Sequence, residues 1–172
     1  ALRKLLEHLW KHHGYRRMAW VSGPRRNQES QERETVFLEY LKENGLPVLP
    51  GLIHEGNFQR SSGRAAGREL AKTREAWDVV VAANDLMALG LQEILGTSAP
   101  ITGYDNGLAS RQAGLTTVDP QLALQVQTLL ERPRESSSPT GVDGRLVIRR
   151  SCGCHPVAEP QHQAFLAADP FG

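Results

Sequence analysis

The chain has 172 residues, 40% of them hydrophobic, 6% aromatic and 23% charged. That is enough apolar material for one ordinary core and too much for a globally disordered chain. Twenty Lys and Arg stand against nineteen Asp and Glu, a formal charge of +1, which excludes a protein that wraps nucleic acid through its whole surface. Apolar runs such as Val79-Val80-Val81-Ala82-Ala83 fall far short of the roughly 18 residues of a membrane-spanning helix. The opening, Ala1 to His8, carries charges that a signal peptide would not. A reducing cytoplasm is the expected location. With no initiator Met, the chain is expected to be cut from something longer.

In chain order, Leu2, Leu5, Leu6 and Leu9 recur at helical spacing, and His12-His13-Gly14 ends the helix. Met18-Ala19-Trp20-Val21 predicts a buried strand that stops at Ser22-Gly23-Pro24. A helix follows from about Gln28 to Asn44, with Val36, Phe37, Tyr40 and Leu41 on one face and Gly45 closing it. Leu52-Ile53-His54 is a short strand, Ser61 to Arg74 a helix, and Trp77 to Ala83 the clearest strand in the chain. Asp85 is placed to cap a helix over Leu86 to Leu95. Pro100 to Tyr104 is another strand, Gly114 to Val118 a further one, and Leu122 to Leu130 a short helix. A Pro-, Ser- and Gly-rich loop from Arg132 to Gly144 leads to a last strand, Arg145 to Arg149, whose arginines are expected to point outward at a sheet edge.

Strands alternating with helices through short loops predict an α/β fold, a parallel sheet with helices on both faces. Ligands of such sheets sit beyond the carboxyl ends of the strands. Ser22, Gly23, Asn57, Asn84, Asp85 and Asp105 land there. These residue types suit a small polar ligand, and they serve equally well as helix caps and turns.

Other constellations carry less. His8 and His12 share a helical face, but Leu9 stands where an H-E-x-x-H motif needs Glu, and no third ligand follows at metal-site spacing. Cys152-Gly153-Cys154-His155 lacks a second pair and is neither C-x-x-C nor a zinc ribbon. The expectation is two packed or exposed thiols, and neither metal nor cofactor. Phosphate loops, dinucleotide fingerprints and nucleophile elbows are missing from the sequence, so nothing in it argues for an enzyme. Glu29, Glu32, Glu34 and Glu39 read as a solvated helix face. Arg25-Arg26, Arg132, Arg134, Arg149 and Arg150 have no interleaved aromatics and read as surface charge.

Several strings taken together resemble the sensor core of the Lac repressor and Gal repressor family of bacterial transcription regulators. They are Gly14 to Pro24, Glu32-Arg33 with Phe37, Glu55-Gly56-Asn57-Phe58, Ala82-Ala83-Asn84-Asp85-Leu86-Met87-Ala88-Leu89-Gly90, Gly103-Tyr104-Asp105-Asn106, Leu115 to Val118, and Leu146 to Ser151. They occur in the family's order over about Leu2 to Cys154. The resemblance implies a type I periplasmic-binding-protein fold, represented mainly by its C-terminal lobe. It implies that residues 1–115 form that lobe, that 116–151 return toward the first lobe, and that 152–172 are a tail or linker. Carried over by position, Arg33, Asn84 and Asp105 hydrogen-bond the ligand and Phe58 stacks on it. Two departures stand out: Val36 where the family usually has Gly, and short stretches at 95–101 and after Val118.

The implied function is binding of a small polar effector, a sugar or nucleoside-like molecule, that tunes operator DNA binding by a domain outside this chain. A homodimer is implied too, with no membrane contact and no catalysis. Two alternatives share the fold: a sensory input domain in a multidomain signalling protein, and a periplasmic sugar-binding protein.

Overall fold

The computed structural model describes residues 1–131 and 142–154. A six-stranded sheet runs β2-β1-β3-β4-β5-β6. Its strands are β1 (Met18–Ser22), β2 (Ile53–Glu55), β3 (Val79–Ala82), β4 (Ile101–Tyr104), β5 (Thr116–Asp119) and β6 (Arg145–Val147). β1 to β5 are mutually parallel, and β6 alone is antiparallel to its neighbour. The helices are α1 (Leu2–Glu7), α2 (Gln28–Glu43), α3 (Arg60–Lys72), α4 (Asp85–Leu95), α5 (Leu108–Gln112) and α6 (Leu122–Leu130).

Handedness decides where the helices lie. Right-handed crossovers put α2 on one face of the sheet and α3, α4 and α5 on the other, because the path reverses direction after β2. Packing agrees: α1 lies against α2, α3 against α4, and α4 against α5. β1 and β3, covered on both faces, therefore read as unbroken apolar runs and are buried at every position. Trp20 stacks on Phe37 of α2 with ring centroids 4.8 Å apart, anchoring that helix layer.

The sequence-based expectations meet the structure with a few corrections. Asn84, not Asp85, caps α4: its Oδ1 accepts from the Met87 amide at 3.0 Å, and Asp85 is the first helical residue. β3 starts at Val79 rather than Trp77, whose indole N–H reaches back to the Leu70 carbonyl over the end of α3. α5 was not expected, being only five residues long and bounded by Gly107. Of the edge arginines, Arg145 does point outward beside Asp119, but Arg149 turns in, donating to the Leu115 carbonyl and to Asn106 Oδ1. The sheet takes up β5 and β6 as well, so residues 116–119 and 145–147 belong to the same layer as the strands before them. The expected loop at 132–144 lies outside the described residues except for Val142, Asp143 and Gly144. So does the tail beyond Cys154.

Candidate functional site

The strand order reverses between β1 and β3, the position where open parallel sheets bind their ligands, beyond the strands' carboxyl ends. Three connections converge there. After β1 comes Gly23, after β2 comes Phe58, and after β3 come Ala83 and Asn84. The Phe58 ring lies so close over Gly23 that a Cβ on residue 23 would sit 2.1 Å from it. Phe58 itself adopts a left-handed backbone with φ 64°. The Asn84 side chain fixes it there, donating from Nδ2 to the Phe58 carbonyl at 3.0 Å while Oδ1 caps α4.

Arg33 reaches the same edge from α2. Its Nη1 donates to the Ala83 carbonyl at 3.0 Å, and its Nη2 pairs with Glu29 one turn earlier at 2.8 Å. The guanidinium lies 4.2 Å from the centre of the Tyr104 ring, a stacking that fixes its plane. Only 17% of the Arg33 side chain is exposed. Asp105 follows Tyr104 in a left-handed conformation, φ 117°, with Asn106 also at positive φ. Side chains lock that turn: Asn106 donates to Asp119 and accepts from Arg149. Held backbone strain of this kind concentrates where a side chain must be aimed.

The electrostatics are unequal. Asp105 has its pKa pushed up to about 6, first by desolvation, then by the neighbouring Asp85, with Glu29 adding to the effect and Arg33 opposing it. Asp85 is raised too, mainly by burial, although it accepts from Thr117 Oγ1 at 2.6 Å and from the Gly107 amide at 2.9 Å. Arg33, with Arg149 behind it acting on Asp85, thus faces Glu29, Asp85 and Asp105 at the carboxyl edge. Such an edge favours a ligand rich in hydroxyl or N–H donors.

The structure brings Arg33, Asn84, Phe58 and Asp105 to one edge, in different states. Arg33 and Asp105 present charged groups toward it, Phe58 is half-buried, and Asn84 is 6% exposed with its amide engaged within the protein. Ser22 and Asn57 serve turns: Ser22 Oγ donates to the Gly23 carbonyl, and Asn57 Oδ1 accepts from the Gln59 amide. Tyr104 and Glu29 are the residues the sequence reading missed. Glu29 carried a signal, since it lies four residues before Arg33 on the same helix. A concavity of about 690 Å³, lined by Gly14, Tyr15, Arg16, Arg17, Pro47 and Asp78, opens at the opposite, amino edge of the sheet. The four candidate residues lie at the carboxyl edge.

Comparison with known proteins agrees with this fold. The family model for the periplasmic binding protein-like domain matches residues 6–152. The transcriptional repressor PurR of Photorhabdus laumondii is 30% identical over 156 residues, covering 80% of this chain and 45% of that protein. The transcriptional regulator CelR of Thermobifida fusca is 33% identical over 107 residues, 58% of this chain and 32% of that protein. Among solved structures, a complex of the transcriptional regulator CelR with cellobiose superposes with a TM-score of 0.71 at 28% identity, covering 88% of this chain and 50% of that one. The chain spans less than half the length of these two curated relatives. Fold and matched span coincide, and the chain belongs to the periplasmic binding protein-like domain family, in the form carried by LacI-type transcriptional regulators.

Proposed function

We propose that this chain is the effector-sensing part of a LacI-type transcriptional regulator and supplies one wall of the effector cleft. The observation that carries the reading is the Arg33 guanidinium, clamped by the Ala83 carbonyl, Glu29 and the Tyr104 ring at the switch point, with the Asp105 carboxylate beside it. A fixed donor fork next to an acceptor recognises vicinal hydroxyls or a polar heterocycle edge, and the Phe58 ring offers a stacking face. The effector is a sugar or a nucleoside-like molecule; the cellobiose complex of CelR supports the sugar. Asn84 acts by holding Phe58 and α4 in place.

The second wall is the family's first lobe. The return toward it, expected within residues 116–151, has its two strands in the sheet, and α6 between them supports the reading: Leu122, Leu124, Val126, Leu129 and Leu130 are all exposed on it, an apolar patch that soluble proteins normally cover. Closure of two lobes on an effector would shift the halves of a homodimer and so the operator affinity of a DNA-binding domain outside this chain. This is a binding role in the cytoplasm with no catalytic step. Among the described residues no helix is long and apolar enough to cross a membrane.

Calorimetric titration of the polypeptide as the cell makes it, with a panel of mono- and disaccharides and nucleosides, tests the reading. One of them binds, and Arg33→Ala and Asp105→Ala each weaken it by about 2 kcal/mol, roughly 30-fold. Unchanged affinity in both variants would overturn the site.

A further inference from the structure

At the amino edge of the sheet, away from the effector wall, the fold gathers four side chains from the two ends of the described chain. His8 and His13 come from the helical turn that continues α1, and Cys152 and Cys154 from the turn after β6. Their ligand atoms all lie within 4.8 Å of one another. His8 Nε2 is 3.2 Å from His13 Nε2, 3.6 Å from Cys152 Sγ and 3.5 Å from Cys154 Sγ, and His13 Nε2 is 3.3 Å from Cys154 Sγ.

Hydrogen bonds cannot satisfy that arrangement. An imidazole nitrogen has one in-plane lone pair or one N–H, and His8 Nε2 faces three polar atoms at once. A shared ion resolves it. For bonds of about 2.0–2.1 Å to nitrogen and about 2.3 Å to sulfur, a tetrahedral zinc ion separates its ligands by about 3.3–3.4 Å for N···N and about 3.5–3.6 Å for N···S. The four distances above lie close to those edges. We propose that His8, His13, Cys152 and Cys154 bind one zinc ion in a closed, structural Cys2His2 site.

The local backbone is built for it. In an α-helix residues five apart point about 140° away from each other. Here the helix widens into a π-turn over His8–His12, and Tyr15 donates its amide to the Leu9 carbonyl at 3.1 Å. That wider turn brings His8 and His13 to one side, the kind of insertion often found at functional sites. His12 is exposed, and its ring packs on those of His8 and His13 with centroids 5.0 and 4.9 Å apart without joining the four ligands. Tyr15 orients both halves: its ring stacks on His13 with centroids 5.0 Å apart, and its hydroxyl donates to the Cys152 carbonyl at 3.1 Å. Gly153 makes the tight C-x-C turn at φ +99°, where a Cβ would also lie 2.8 Å from the Tyr15 hydroxyl. Two thiolates and a zinc dication sum to zero charge, which suits a site where Cys152 is fully buried. Four protein ligands leave no open position, so the ion's task is to clip the first helix to the last described turn, 146 residues away.

The test uses the reduced chain, stripped with a chelator and titrated with Co²⁺. The expected result is saturation at one ion per chain, with tetrahedral d–d bands and thiolate charge-transfer absorption that equimolar Zn²⁺ erases. His13→Ala and Cys154→Ser abolish the four-ligand spectrum and lower the Tm gained on adding zinc, whereas His12→Ala behaves as the parent. Both lost ligands are only half-buried, so circular dichroism can verify that the variants fold. A folded, reduced chain that gives no tetrahedral cobalt spectrum overturns the proposal. So does a Cys154→Ser variant that keeps the full charge-transfer intensity.

Discussion

Two aspartates at the carboxyl edge illustrate how burial and aim divide the work of one residue type. Asp85 is buried and spends both oxygens internally, on the Thr117 hydroxyl and the Gly107 amide. Asp85→Ala strands both donors and is expected to cost about 2–3 kcal/mol in urea unfolding; a loss under 0.5 kcal/mol would contradict this role. Asp105 is the exposed, aimed member. Its folded pKa of about 6 lies above the ordinary value of 3.8, so between these values the folded state holds the proton more tightly than the unfolded one. Its contribution to stability therefore falls as pH rises through that window, and the full cost is present above about pH 6. Asp105→Asn is expected to raise stability at pH 7.5 by on the order of 1 kcal/mol or less, since water screens an exposed carboxylate, and to change nothing near pH 3.5. Equal effects at both pH values would refute the shift. Effector affinity should run the other way, weakening as pH falls through 6, because only the carboxylate accepts from two donors at once.

At the scale of elements, α3 and α4 cross with their backbones nearly touching. A Cβ on Gly63 would lie 2.1 Å from the Met87 carbonyl oxygen, and one on Gly90 would lie 2.1 Å from that of Arg60. Neither partner is a side chain that can swing away, so Gly63→Ala and Gly90→Ala must push the helices apart. Thermal unfolding should show each destabilised by about 2 kcal/mol or more; a neutral effect would mean the helices have room to slide. These helices also show how far sequence reaches. Period and punctuation placed the parallel strands and the long helices to within a few residues, because a strand buried on both faces reads as a continuous apolar run and a helix ends at Gly or Asn. α5 escaped because five residues carry no period. The Asn84 cap was shifted by one residue because Asn and Asp are both good caps and stand side by side. For the candidate site, strand ends alone placed Asn84 and Asp105 at the carboxyl edge, and Arg33 and Phe58 were nameable only through the family resemblance; that Tyr104 and Glu29 clamp the arginine is a matter of tertiary geometry. The His and Cys pairs were legible separately but not as a set. The contacts between them span 141 to 146 residues, and an α-helical period pairs His8 with His12 rather than with His13.

For the whole molecule, the sheet separates the two proposed sites. The carboxyl edge carries the proposed effector wall at the switch point, and the amino edge carries the His and Cys group that brings the chain's first helix to its last described turn. Ions at one edge and effectors at the other make different demands. On the proposed reading, the amino edge stays closed and fixed, whereas the carboxyl edge remains open to a second lobe. The most direct measurement is amide hydrogen exchange on the polypeptide as the cell makes it, with and without a bound sugar or nucleoside. The account predicts slowed exchange confined to the turns after β1, β2, β3 and β4, around residues 22–24, 56–59, 83–86 and 104–107, with the amino-edge residues 13–17 unchanged. Protection centred on residues 13–17, or none at the carboxyl edge, would contradict it.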